Sequence, residues 1–306
     1  MELFLNSTGV ISGAGNNIVS GKLLCKEPDY SSYIPPMQLR RMSKAVRIGI
    51  GASKISMEEA GIEKPDAISI GTAMGCLADT ELFLNKMVEQ DEQMLTPTSF
   101  IQSTHNTVSG QIALLAGCYG HNLTFVQRGH SFEHAMLNAQ LYLDEHTDEK
   151  ILVGGIDELT DNSYNAFKTG GVYNDDNIAG EGAVFFVASS KPITDKAVCV
   201  KDIHCFITSS NEDALVQVSS FIQRNNIYSL DLLISGRDNI TTDFYNGAVE
   251  LFNNPTEQQF KNQCGDYATA SSFALSTLFS LEAGIKKAVI INHFKNYYAC
   301  WFVERA

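Results

Sequence analysis

The sequence predicts an α/β protein, and three observations carry that prediction. Apolar, β-branched runs alternate with amphipathic stretches of helical period along nearly the whole chain. The composition, 44% hydrophobic and 19% charged over 306 residues, is that of a globular protein with ample material for a core. Glycine and proline punctuate the joins between runs and show no repeat or low-complexity tract.

The strand runs are Ala67–Ile70, Leu123–Val126, Ile151–Val153, Ala183–Val187, Val198–Ile207, Leu230–Ile234, Ala288–Ile291 and Tyr298–Val303. Each is short, β-branched and bounded by polar or glycine residues. The opening stretch MELFLNSTGVISGAG has a short apolar run broken by Asn6, Ser7 and Gly9 and no basic leader, so it reads as a first strand. Helical spacing marks Lys44–Ala60, Ala78–Glu89, Ser109–Ala116, Glu133–Asp144, Glu212–Arg224, Tyr245–Phe252 and Ala270–Ala283. The weakest boundary is Ser189–Ala197, where Pro192 and small polar residues interrupt the pattern. It divides the chain into a half at 1–190 and a shorter half at 191–306, each reading as strands crossed by helices, with no visible duplication of sequence.

Net charge is −13 at pH 7. A phosphate backbone and an anionic membrane surface both attract basic faces, so the balance argues against nucleic acid and membrane as partners. The seven cysteines are scattered and form no CxxC, which fits a reduced, cytoplasmic setting and not a zinc site. No nucleotide-binding glycine fingerprint or Walker loop occurs, so no cofactor is expected.

Local signals are few. Gly154-Gly155 and Gly180-Glu181-Gly182 read either as strand turns or as points of close backbone approach. Gln127-Arg128-Gly129-His130-Ser131 joins a strand to a helix, the place where α/β enzymes display a nucleophile. Ser131 beside His130 or His134 lacks the spacing of a hydrolase elbow and reads better as an N-cap, with Glu133 near the positive end of the helix. Cys264 reads as a buried, inert thiol more readily than as a reactive one. His105, His121, His146, His204 and His293 show no ligand spacing.

Several segments, in order, resemble the β-ketoacyl synthase family over nearly the whole chain. They are Tyr33-Ile34-Pro35-Pro36 with Arg40-Arg41-Met42-Ser43; Pro97-Thr98-Ser99-Phe100 with Asn106 and Gly110-Gln111-Ile112-Ala113; Phe125 to Asn138; Leu152-Val153-Gly154-Gly155-Ile156-Asp157-Glu158; and Gly180-Glu181-Gly182-Ala183. The resemblance implies the five-layered α-β-α-β-α thiolase-like fold with two similar halves, in dimers joined beside the nucleophile strand.

The departures from the family shape the functional expectation. Ketosynthases hold the acyl chain on a cysteine and use two histidines for decarboxylation and oxyanion stabilisation. The positions matching these carry Gly129, Ser235 and Asp266. Ser235-Gly236-Arg237-Asp238-Asn239-Ile240-Thr241-Thr242-Asp243 lacks the threonines that contact a carrier's phosphopantetheine arm. The family's late glycine-rich loop is replaced by Asn292-His293-Phe294-Lys295-Asn296.

The resemblance therefore implies a non-catalytic, chain-length-factor-like subunit. It would pair with an active β-ketoacyl synthase and meet acyl carrier protein mainly through that partner. It is similar to partners in aryl polyene and dialkylresorcinol (flexirubin-type) pathways. Met74, Leu77, Thr80 and Leu84 would line an acyl tunnel at the interface. Two other readings remain open: a homodimeric acyl-binding or scaffold protein, and an acyltransferase or decarboxylase with relocated chemistry at Cys264, Ser235 or Ser131.

Overall fold

The computed structural model describes residues 2–13, 18–175, 177–239, 241–281 and 284–305. Met1, Ala14 and Gly15 of the opening stretch, Ile240, and Glu282–Ala283 of the last predicted helix lie outside them. The described strands are β1 (Leu3–Leu5), β2 (Gly9–Ser12), β3 (Lys22–Leu23), β4 (Ala67–Gly71), β5 (Asn122–Phe125), β6 (Ile151–Asp157), β7 (Ala179–Gly180), β8 (Gly182–Ser189), β9 (Val198–Ile207), β10 (Leu232–Ser235), β11 (Thr256–Gln259), β12 (Lys287–Phe294) and β13 (Tyr297–Arg305). The helices are α1 (Pro36–Leu39), α2 (Lys44–Glu59), α3 (Leu77–Glu89), α4 (Pro97–Gln102), α5 (Thr107–Ala116), α6 (Ser131–Glu145), α7 (Asp161–Thr169), α8 (Asn211–Arg224), α9 (Thr242–Leu251), α10 (Lys261–Cys264) and α11 (Ser271–Thr277).

The same strand pattern occurs twice. In the first set the order is β5-β4-β6-β8-β1, and in the second it is β11-β10-β12-β13-β9. In both, the first three strands are parallel and the fourth runs against its neighbours. β1 and β2 both pair with β8, so they are one strand interrupted at Asn6–Thr8, where the Asn6 amide bonds the Ser189 hydroxyl at 2.7 Å. The antiparallel pair β1–β9 joins the two sets. This likeness of the halves resides in backbone pairing.

Side-chain alternation sorts the layers. On β8, Val184, Phe186 and Ala188 face the central core, while Ala183, Phe185 and Val187 face the outer one. Ala288 and Ile290 of β12 point inward and Val289 and Ile291 outward. A period of two delivers alternate residues to opposite faces of a sheet, and here both faces are covered. The central core holds α6 and α11, with Phe132 stacked on Trp301 at 5.5 Å. One outer core takes α2 and α5 through Val46, Ile50, Val108 and Ile112. The other takes α8 and α9 through Val218, Phe221, Phe244 and Tyr245. The result is helix, sheet, helix, sheet, helix: five layers.

Some elements differ from the sequence reading. The predicted helix 270–283 is a short α11 followed by a 3₁₀ turn at Leu278–Ser280. Ser131 is not an N-cap: its hydroxyl accepts from the Gln127 amide at 2.9 Å and donates to the Arg128 carbonyl at 2.7 Å, bracing the turn before α6. Gly154-Gly155 lies inside β6 and not in a turn. A Cβ at Gly154 would stand 2.5 Å from the Phe185 ring, so the glycine serves close packing.

Candidate functional site

In open α/β sheets, sites form beyond the carboxyl ends of the parallel strands. Gly129 follows β5, Ser235 ends β10, and Asp266 follows β11 and α10. Gly129 meets the tip of the β12–β13 hairpin, Asp266 reaches the end of β12 through Lys261, and Ser235 pairs with Ile291 farther back on β12. The Phe294 and Tyr297 side chains lie over Gly129. Lys261 donates to the His293 carbonyl at 2.7 Å and pairs with Asp266 at 2.7 Å. The Gly236 amide, next to Ser235, donates to the Ile291 carbonyl at 2.8 Å. The structure thus brings the three sequence-predicted positions to one place.

At Gly129 the space is full. An added Cβ would sit 2.6 Å from the Tyr297 Cβ, 3.0 Å from its Cγ and 3.2 Å from the Phe294 Cβ. Those distances are below ordinary carbon contact, so a side chain there forces the hairpin to move. The turn before it stores strain of another kind. Arg128 has φ 53, a left-handed conformation uncommon for a residue other than glycine, and it starts a 3₁₀ turn over Arg128–His130. The hairpin tip is tight: only Lys295, at φ 57, and Asn296 separate β12 from β13.

Ser235 and Asp266 are each occupied. The fully buried Ser235 hydroxyl donates to Glu257 at 2.6 Å, and Arg237 clamps the same carboxylate at 2.8 and 3.0 Å. Asp266 and Lys261 form an ion pair about 95% buried on both sides, with side-chain exposures of 7% and 5%. Next to it lies a second buried network. His293 Nε2 faces Asp238 at 3.3 Å and its Nδ1 lies 3.0 Å from the Tyr245 hydroxyl. With a carboxylate at Nε2, that nitrogen carries the proton and Nδ1 accepts from Tyr245. Neither nitrogen is left to act as a base. Burial pushes His293 down, and Lys261 adds to that push. Burial acts to raise Asp238, but the His293 hydrogen bond and the Lys261 charge outweigh it and hold the carboxyl well below the usual range.

Beside this core lies a cavity of about 460 Å³. Its apolar wall includes Met74, Leu77, Phe167 and Phe294, and Arg128 and Lys295 also line it. Two carboxyls face it. Asp157 accepts from Ala73 N at 2.8 Å, from Thr269 N and Oγ1 at 3.0 and 2.9 Å, and from Thr72 Oγ1 at 3.3 Å. Glu158 accepts from the Ala78 amide at 3.0 Å. Burial pushes Asp157 up to about 6 and Glu158 up to about 7.

Met74 and Leu77 therefore border a cavity, whereas Thr80 and Leu84 do not line it. The Thr80 hydroxyl is taken up by the Cys76 and Ser103 carbonyls at 2.9 and 3.1 Å. Leu84 is 52% exposed on the outer side of α3. Cys264 is fully buried, and burial pushes its thiol far up, the state of an unreactive cysteine. Gly180 packs its backbone directly against Cys264 and Gly265, where a Cβ would collide with the Cys264 carbonyl. Tyr297 and Tyr245 escaped the sequence reading. The one available signal was the Lys295-Asn296 pair, a two-residue turn that aims the residues flanking it back over the sheet end.

Residues 24–179 match the family described as the β-ketoacyl synthase, N-terminal domain. Solved structures are similar over the full chain. One is described as AntDE:AntF, a type II polyketide synthase acyl-carrier protein in complex with its ketosynthase bound to the hexaketide, at TM-score 0.81 and 12% identity. Another is the ishigamide ketosynthase/chain length factor, at TM-score 0.80 and 13% identity. A third is a β-ketoacyl synthase from Burkholderia phymatum STM815, at TM-score 0.80 and 11% identity. In each case 100% of this chain and 99% of the other is covered. No curated protein sequence matches the chain.

Proposed function

The chain belongs to the β-ketoacyl synthase family, and from that premise we propose that it is a non-catalytic subunit of the chain-length-factor kind, pairing with an active β-ketoacyl synthase in type II fatty acid, polyketide or polyene assembly. The observation that carries this reading is the filled space at Gly129. Acyl transfer of the family's kind needs a thiolate at a junction open to substrate. Here the junction has no side chain, and Tyr297 and Phe294 stand where one would go. The Ser235 and Asp266 side chains are committed to Glu257 and Lys261. On this reading Gly129, Ser235 and Asp266 are the lost catalytic positions, and residues 1–190 and 191–306 are the two thiolase-like halves.

A partner surface supports the pairing. β5 hydrogen-bonds only to β4 among the described strands, leaving its other edge open. Exposed apolar side chains surround that region of the sequence: Leu82, Leu84, Val88, Leu114, Leu123 and Val126. An open edge beside exposed apolar residues is an invitation to strand pairing. Carrier protein would dock mainly on the partner. The chain carries −13, and two cations of its basic segment are neutralised, Lys44 by Glu181 and Arg47 by Glu27 at 2.8 Å.

The test is intact-mass spectrometry of the isolated chain incubated with acyl- and malonyl-loaded carrier protein. The expected result is no acyl adduct and no condensed product. An adduct on this chain, with turnover in the absence of another ketosynthase, would overturn the reading.

A further inference from the structure

Away from the filled junction, a second cavity of about 320 Å³ lies between α1 and the segment after it, the starts of α2 and α3, the end of α4, and α5. Its size is at the lower end of small-molecule sites. Met42, Val46, Leu114 and Leu115 give it an apolar wall, and Asp79 stands among them.

Asp79 differs from the other carboxyls that burial perturbs. Among the described residues, burial pushes up Asp79, Glu133, Asp157 and Glu158. Glu133 accepts from the Ser271 hydroxyl at 2.6 Å, Asp157 from the Ala73 amide at 2.8 Å and Glu158 from the Ala78 amide at 3.0 Å. Asp79 has no such support. Its Oδ2 is sealed from water without a well-formed hydrogen bond, and so is the Ser43 hydroxyl. Ser43 draws the Asp79 carboxyl down by less than burial pushes it up, and no cation adds to that pull. Arg41 also borders the cavity, but it is exposed at the rim and is not among the groups acting on Asp79. Asp79 sits in the first turn of α3, where the positive end of the helix favours the ionised form. A half-buried carboxylate without a counter-charge is costly, and an incoming cation recovers that cost. Gln102 adds an acceptor at the same cavity: its amide nitrogen is spent on the Arg41 carbonyl at 3.0 Å, which leaves its oxygen.

We propose that this cavity binds a small primary alkylammonium ion with a short apolar body. Its N–H groups would donate to Asp79 and to the Gln102 amide oxygen, and its body would lie against Val46, Leu114 and Leu115. Leu114 also belongs to the surface proposed for the partner, so the site is that of the isolated chain and does not rest on the pairing.

Ligand-observed NMR titration of the full chain at fixed ionic strength tests it, with n-butylammonium and benzylammonium as probes and 1-butanol and benzyl alcohol as neutral counterparts of similar shape. At least one amine should bind more tightly than its alcohol by about tenfold, the equivalent of roughly 1.4 kcal/mol. Asp79→Asn, shown to be folded by circular dichroism, should erase the amine's advantage and leave alcohol binding unchanged. Glu89→Gln removes an equal charge from the exposed end of the same helix and should change neither. Leu114→Trp, at the exposed mouth, should weaken amine and alcohol together. Absence of binding by both amines, equal binding of amine and alcohol, a preference that survives Asp79→Asn, or one lost equally in Glu89→Gln would each overturn the proposal.

Discussion

If Gly129 stands at the position of the ketosynthase cysteine, as proposed, Gly129→Cys puts the family's nucleophile back, and the geometry says that the protein will not accept it. The new Cβ would lie 2.6 Å from the Tyr297 Cβ and 3.2 Å from the Phe294 Cβ. Those are backbone-anchored atoms, so no rotamer change removes them. Trimming Tyr297 to alanine relieves the 3.0 Å approach of its Cγ and leaves both Cβ contacts in place. The hairpin must shift, and it is held by the full β12–β13 ladder and by Lys261 on the His293 carbonyl. Overpacking of this kind costs about 1–3 kcal/mol. Gly129→Cys should therefore lower the urea midpoint without changing the slope of the transition. It should also stay unlabelled by acyl-carrier substrate, because Tyr297 and Phe294 fill the space beside the new side chain. A Gly129→Cys protein as stable as the parent, and acylated in the intact mass spectrum, would show that the junction has room for a working thiol.

Three further outcomes follow from the buried groups. Glu133 is fully buried in the central layer, accepts from Ser271 at 2.6 Å, and burial pushes it up to about 7. Its folded form binds a proton more tightly than its unfolded form, so the chain loses stability as pH rises from about 4.5 to about 7, on the order of 3 kcal/mol from this group. Asp157 and Glu158 act in the same direction; Glu133→Gln should flatten the Glu133 share of that slope in denaturant melts across the pH range. Lys261→Met strips the cation from the buried Asp266 and should cost about 3–5 kcal/mol in a urea melt, while adding Asp266→Leu should recover much of it. Leu77→Ala, at a buried site, should destabilise by about 2–5 kcal/mol, and Leu84→Ala, at an exposed one, by less than about 0.5 kcal/mol. If α3 borders a shared acyl tunnel, Leu84→Ala should instead lengthen the product made by the reconstituted pair.

How much of this was legible in the sequence depends on where each determinant lies. β6 and β8 were readable because both faces are buried and their runs are continuously apolar. β11 was not, because Thr256-Glu257-Gln258-Gln259 is a polar strand at the sheet edge. The helix α7 carried a signal that went unread, the Thr160 to Ser163 cap with Asp161 in the first turn. The doubled topology could not be seen, since β4–β6 and β10–β12 share pairing and not residues. Gly129, Ser235 and Asp266 were visible only through the family resemblance. What fills the space around them was not, because Tyr297 lies far along the chain from Gly129 and is brought back by a hairpin whose register no local pattern states. The Asp238–His293–Tyr245 network likewise joins three elements that only the folded sheet brings together.

Pairing without catalysis is tested by native mass spectrometry of this chain mixed with an intact ketosynthase from the same assembly system, in the presence of acyl-loaded carrier protein. The expected result is a one-to-one heterodimer in which the acyl mass increment sits on the ketosynthase alone. A chain that remains by itself or as a homodimer, or that carries the acyl increment, would contradict it.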